Sequence, residues 1–329
     1  MIKYLIRQAL AWAVRVFFAT NLAFFVATAF LKPASLYAER RPPIPPEQIE
    51  AQLRVRNLSY AQPLLERWWN WLTGVMLHWN WGAEPTGSVG SVNQQIGYRV
   101  WISAQLMLGA TVIAFVVGIA IAVYAASRQY KVGDRIVWFV SMIGLNSPVA
   151  VVAMVVVFAG IALNRKAGTI LFYVSGSAGI DVNGVWNIVL DKAQRLTLPS
   201  IVLLFITFAS YSLTQRSILL DNISADYVRL ARAKGLRQNV AIRRHALRTS
   251  MIPVAVQFAY SLPGIFTGAV ITETIFAWNG MGKYFYDSIS KQNVYGAVAV
   301  AAFGAVMTAI GAMLSDVFVA FLDPRVRVS

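Results

Sequence analysis

Residues 100–127 read VWISAQLMLGATVIAFVVGIAIAVYAAS, a run without one charged side chain. A helix needs about 20 apolar residues to cross roughly 30 Å of hydrocarbon, so this run can cross a membrane with room for tilt. Five more stretches support the same reading. Ile136 to Leu163 is also free of charge, and Leu196 to Gln215 and Val294 to Ser315 are nearly as clean. Gln8 to Leu31 carries Arg15 within two turns of its start, from where a long side chain can snorkel to the headgroups. Thr249 to Thr272 holds Pro253, Pro263 and Gly264, tolerated between packed membrane helices and expected to kink this one. The expected fold is an all-α membrane protein of six transmembrane helices with a large extracytoplasmic insertion between the first two.

Composition agrees. The 329 residues are 57% hydrophobic and 13% charged, about half the roughly 25% charge of soluble domains. Cysteine is absent, which excludes disulfides, thiol catalysis and cysteine-held metals; with only His78 and His245, a multi-histidine site is excluded too. The net charge of +15 would suggest nucleic acid in a soluble chain, but at this charge density it points to membrane orientation. The first stretch follows Lys3 and Arg7 as a signal peptide would; its length and the lack of a small-x-small site favour an uncleaved helix. Cations crowd the short loops around Arg128 to Arg135 and Arg216 to Arg248, and Arg325 and Arg327 follow the last span. The positive-inside rule therefore places both termini and the 216–248 loop in the cytoplasm.

The chain divides into residues 1–31, an outer segment 32–98, and a five-helix core 99–329. The outer segment opens on RRPPIPP at 40–46, which favours extended geometry, followed by a short helix from Pro46 to Arg56 with proline in its first turn. Trp68, Trp69, Trp71, Trp79 and Trp81 then cluster as expected of an interfacial belt, with an aromatic binding cage as the rival reading. A cysteine introduced at Ser59 is the sequence's suggested probe of sidedness. The second outer loop, 164–195, holds Gly168, Gly176, Gly179 and Gly184 without GxGxxG order, and no GxxxxGK[ST] occurs anywhere. ATP energy must then come from another chain.

The 221–248 loop is the most particular stretch. Ser224 or Asp226 can cap a helix through Tyr227, Val228, Arg229, Leu230, Ala231, Arg232, Ala233 and Lys234, which Gly235 ends with a positive φ before Leu236. A second helix is expected from Arg237 to Leu247. A basic segment lying on anionic headgroups would explain the charge. The glycine-stopped helix followed by another makes something more specific, a rigid knob that a soluble partner could grip.

At these residues the sequence resembles the permease subunits of ATP-binding-cassette importers, in the oligopeptide and dipeptide branch. Its EAA-type loop is Asp226 to Leu236 with Arg244-His245-Ala246-Leu247-Arg248 and Ile252-Pro253; the likeness continues through Gly268 to Gly282 and ends at Leu322-Asp323-Pro324-Arg325-Val326-Arg327. Where the name-giving loop has glutamate and two alanines, this chain has Arg229, Leu230 and Ala231, and arginine there is usual in the peptide branch. Trp79-Asn80-Trp81-Gly82 looks like a divergent Gly-Asp-Leu-Gly-type stretch. The resemblance implies a type I importer in the bacterial cytoplasmic membrane. Two six-span permeases, here a heterodimer, would work with cytoplasmic ATPase subunits that hold ATP and Mg, and with an extracytoplasmic substrate-binding protein. No cofactor is expected on this chain, and membrane lipid but no nucleic acid is expected as a partner. Asp226 to Leu236 and His245 would couple to the ATPase. Asn146, Pro148, Pro263, Glu273, Trp278, Gly280, Met281 and Gly282 are passage or gate candidates, Glu273 and His245 having plain hydrogen-bond roles as alternatives. Nickel chelates or glutathione are alternative cargoes. A stand-alone channel, a secondary transporter and a membrane enzyme are disfavoured, since charged span centres, paired carboxylates and a Ser-His-Asp set are missing.

Overall fold

A computed structural model describes residues 2–38, 42–87, 90–179, 183–267 and 269–322. Among them every regular element is a helix. In order these are α1 (Ile2–Phe30), α2 (Ser35–Ala38), α3 (Pro46–Val55), α4 (Leu64–His78), α5 (Val92–Ser127), α6 (Val132–Asn146) and α7 (Val149–Ala167). After α8 (Val185–Ile223), α9 (Asp226–Ala233) and α10 (Gln238–Ala241) comes a π-helical turn, Ile242–Ala246, then α11 (Leu247–Thr267), α12 (Val270–Ile275), α13 (Met281–Ser290) and α14 (Val294–Leu322). Among the described residues five helices are long and apolar enough to cross a membrane: α1, α5, α7, α8 and α14. The Arg325 and Arg327 of the expected cytoplasmic end, and Gly268, lie outside the described residues.

Two expected spans are not single helices. The 136–163 stretch breaks between Asn146 and Val149, because Pro148 pushes the preceding residue out of helical geometry and Ser147 is extended at φ −79°, ψ 129°. The 249–272 stretch is divided too: α11 carries Pro253 and Pro263 within it and ends at Thr267, and α12 starts after an extended Ala269. Conversely, α5 begins at Val92, inside the segment assigned to the outer side, with Ser91 Oγ accepting the Gln94 N–H. The helix expected from Arg237 to Leu247 has no end of its own. It passes through the π turn directly into α11.

The bundle is built on α5 against α8, which approach where side chains are absent. A Cβ on Gly118 would lie 2.8 Å from Tyr211 Cβ, and one on Gly144 of α6 would lie 2.7 Å from the Phe205 carbonyl. Gly311 of α14 likewise leaves the space into which Pro263 of α11 is seated. Polar pairs tie the same helices: Gln215 donates to Ser250 Oγ at 2.8 Å, Gln257 to Ser210 Oγ at 2.9 Å, and Tyr211 to Ser261 Oγ at 2.9 Å. In an apolar medium such side chains have no water to turn to, so pairing them fixes helix register.

The residues between α1 and α5 fold onto α1 and the start of α14. Phe24, Tyr37, Leu53, Leu58, Trp71, Val294 and Tyr295 share one buried core. Here the tryptophan cluster departs from the belt expectation. Trp71 is 4% exposed and stacks on Phe24 at 4.7 Å, Trp68 stacks on Phe25 and donates to Asn21 Oδ1 at 2.6 Å, and Trp69 and Trp79 remain exposed. Indoles facing inward from α4 act as core anchors. Ser59 is fully buried and bonded to Glu50, so a cysteine there would report packing and not sidedness.

Candidate functional site

The knob expected in the 221–248 loop is present, and its local chemistry explains its shape. Lys234 caps α9, Gly235 takes φ +92°, its N–H bonds the Arg232 carbonyl at 2.9 Å, and the Leu236 N–H reaches the Ala231 carbonyl at 3.3 Å. This is a Schellman ending, which requires a left-handed residue where glycine stands. The start is different from expectation: Ala225 is the capping residue, no side chain caps the helix, and Ser224 Oγ donates back to Asp221 at the end of α8. Asp226 stays free for solvent, with Arg229 at 3.7 Å in an exposed pair.

One face of α9 is seated and the other is bare. Val228 and Ala231 are buried with Ala126 of α5, Leu219 of α8, Ala241, and Ile242 and Ala246 of the π turn. Tyr227 anchors the near end by donating to Asn222 Oδ1 at 2.6 Å. Asp226, Arg229, Leu230, Arg232, Ala233, Lys234 and Gly235 face outward, Leu230 at 58% exposure. His245 sits half-buried in the π turn beside exposed Arg243 and Arg244, its carbonyl taking the Thr249 hydroxyl at 3.4 Å. The seat therefore joins the ends of α5 and α8 and the base of α11 through one small helix.

A second constellation centres on Glu273 of α12. Its side chain is fully buried; Oε1 accepts Ser103 Oγ of α5 at 2.6 Å and Oε2 accepts the Lys283 N–H of α13 at 2.9 Å. Ser103 Oγ also accepts the Met281 N–H at 2.8 Å, and Trp278 Nε1 donates to the Ile102 carbonyl at 2.9 Å. Gly280 lies against this knot: a Cβ there would sit 2.6 Å from both Glu273 oxygens and overlap Ser103 Oγ. Gly282 packs its bare Cα face on Val270. Glu273, Trp278, Gly280, Met281 and Gly282 are all enclosed by their own chain, so the structure brings these five passage candidates together as one anchored turn. It does not bring the others to them. Asn146 and Pro148 are exposed at the α6–α7 break, Asn146 donating to Met142 O at 2.8 Å, and Pro263 is buried against α14.

An ion pair that the sequence reading missed joins α6 to α8. Asp134 in the first turn of α6 is 3% exposed; it accepts Arg216 Nε at 2.6 Å and Nη2 at 2.8 Å from α8, and the Tyr130 N–H at 2.9 Å. The Arg216 hydrogen bonds hold the Asp134 carboxyl below the usual carboxylate range, against the opposing effect of burial. The two residues are 82 positions apart, and the only sequence sign was an acid among the cations of a short loop.

Set beside known proteins, residues 118–328 match the family described as binding-protein-dependent transport system inner membrane component. The chain belongs to this family. It is 34% identical over 330 residues to the oligopeptide transport system permease protein OppB of Mycobacterium tuberculosis H37Rv, covering all of both chains. It is 29% identical to the oligopeptide transport system permease protein AppB of Bacillus subtilis, over 85% of this chain and 86% of that one. The dipeptide transport system permease protein DppB of Lactococcus lactis is 28% identical over 99% of this chain and all of its own. The matched region contains the whole of α9 and Glu273 with the α12–α13 turn, whereas Ser103 and Ile102, to which that turn is bonded, precede it. As an inner membrane component of a transport system, the chain is an integral membrane protein and not the catalytic subunit.

Proposed function

We propose that this chain is a permease subunit of an ATP-driven importer of oligopeptides or dipeptides. It crosses the bacterial cytoplasmic membrane six times, the broken α6–α7 pair and the proline-bearing α11 each counting as one crossing. Both termini and the 216–248 loop are cytoplasmic and residues 32–98 are outside. A second permease completes the passage, a binding protein delivers peptide from outside, and separate ATPase subunits hold ATP and Mg.

The observation that carries this reading is the two-sided α9. Its buried face touches α5, α8 and the base of α11, while Leu230, Arg229 and Lys234 face outward with no fold of their own to cover them. A groove on the ATPase subunit would cover Leu230 and pair the cations. Closure of two ATPase subunits then moves the seat, and with it three crossings, so that the ATP-bound state favours one orientation of the passage. The Glu273 anchor keeps the α12–α13 turn fixed to α5 as a gate-side element during that motion.

The test is Gly235→Val with Gly235→Ala beside it. Space is not the obstacle, because nothing lies within 4 Å of a Cβ at this position; the cost comes from the φ of +92°. Left-handed strain of about 1–3 kcal/mol, larger for the β-branched residue, should loosen the knob. Copurification with the ATPase and peptide-stimulated ATP hydrolysis should fall in the order glycine, alanine, valine. Wild-type values for valine in both assays would sink the coupling assignment. A chain that hydrolyses ATP when purified free of other subunits would sink the division of labour.

A further inference from the structure

An apolar groove of about 730 Å³ runs between α1, α4 and α14. On α1 it extends from Ala9 to Asn21 and on α14 from Ala299 to Met313, roughly 18–21 Å at 1.5 Å per residue. A single hydrocarbon chain fits within it. The length exceeds half of the roughly 30 Å hydrocarbon layer, which suits a chain entering from one leaflet.

The lining sets the direction of entry. No charged side chain lines the groove, and its polar residues, Thr20, Asn21 and Asn93, gather at the end closed by the indoles of α4. A peptide there would leave its backbone donors unpaired along the whole apolar length. At the opposite end Trp12 lines the groove, and the Arg15 guanidinium lies 4.7 Å from its ring centroid. Arg15 is exposed at membrane depth and forms no salt bridge among the described residues. A cation in that position calls for an anion that comes with the membrane, and guanidinium matches phosphate in a forked pair.

We infer that the groove between α1, α4 and α14 is a phospholipid site, one acyl chain filling it and the headgroup phosphate pairing with Arg15. On the proposed orientation the lipid belongs to the inner leaflet. The site goes beyond the transport reading and does not depend on the cargo. It staples α1 to α14, the helices that carry the 32–91 segment.

The full chain, purified in mild detergent, stripped of lipid and titrated with phosphatidylglycerol, should bind one molecule by native mass spectrometry. Arg15→Gln should weaken that binding about fivefold, Arg15→Lys, which keeps the charge but not the fork, should fall between the two, and diacylglycerol, which lacks the phosphate, should bind weakly and equally to wild type and Arg15→Gln. Ala13→Phe, at an exposed groove position, should displace the chain while leaving the thermal midpoint of the protein intact. A nitroxide at Val306→Cys, read against chain-labelled phosphatidylglycerol, gives the same answer in the otherwise unchanged protein. Equal binding by wild type, Arg15→Gln and Ala13→Phe would overturn the assignment. So would a disulfide from Val306→Cys to a helix of the second permease, because the groove would then hold protein.

Discussion

Breaking the Asp134–Arg216 pair gives the sharpest test of how the first turn of α6 is held to α8. Asp134→Ala removes an acceptor of three hydrogen bonds, two of them from one guanidinium. Breaking a fully buried pair costs about 3–5 kcal/mol, whereas an exposed pair contributes about 0–1 kcal/mol. The side chains are 4% and 19% exposed, so water takes up part of the stranded Arg216 charge and the expected loss is about 2–3 kcal/mol. Arg216→Met should cost a similar amount, and the double variant clearly less than the sum, with a coupling of about 1–3 kcal/mol. Acid should act in the same direction. The folded carboxyl has the lower pKa, so the unfolded chain binds the proton more readily. The pair's stabilisation is then complete above the ordinary aspartate value near 3.9 and is lost as pH falls through the lower folded value. Unfolding in detergent, followed by circular dichroism for the four variants and repeated from pH 6 downward, measures both effects. Additive single losses, or an Asp134→Ala chain with the acid sensitivity of wild type, would refute the reasoning.

Other substitutions test the anchor and the outer segment. Gly280→Ala should lower stability by about 1–3 kcal/mol through overpacking on Ser103 and Glu273, while Gly109→Ala, with nothing within 4 Å and a helical setting, should be neutral or stabilising; thermal midpoints separate them. Trp71→Ala should cost about 3–5 kcal/mol, since it empties a buried site against Phe24, and Trp69→Ala should cost little; partial proteolysis of the 32–91 segment reports the difference. Tyr295→Phe removes a hydroxyl that donates toward the Arg56 and Asn57 carbonyls at 3.0 and 2.9 Å, and should cost about 1 kcal/mol or slightly more in the same assay. A cysteine at exposed Ala51 should react with impermeant reagent from outside intact cells and one at Asn239 only after permeabilisation; the reverse would invert the topology.

Features fixed by neighbouring residues were readable in advance. Gly235 was one, because a left-handed residue ending a short helix is a local demand, and the proline-led α3 was another. The apolar runs of α5, α8 and α14 were readable because in lipid a helix must satisfy its own backbone. What escaped depended on distance in the chain. Asp134 and Arg216, or Ser103 and Glu273, lie 82 and 170 positions apart, and nothing local pairs them. Trp71 was misplaced because an indole at an interface and one in a core leave the same trace in a sequence. The break at Ser147–Pro148 escaped because a proline that only kinks a helix and one that ends it differ only in whether the backbone there returns to helix at once.

The uninterrupted passage from α10 through the π turn into α11 has a mechanical meaning. From Gln238 to Thr267 the chain is one helical rod of roughly 45 Å, with its foot set in the socket that Val228 and Ala231 share. A tilt of about 5° at the foot displaces the far end by roughly 4 Å at that length. Compliance lies at the π turn near the foot and at Pro253 and Pro263, part-way along the shaft. A displacement of the seat too small to disturb its packing is thus amplified into a movement comparable with the width of a peptide backbone at the other end of the rod.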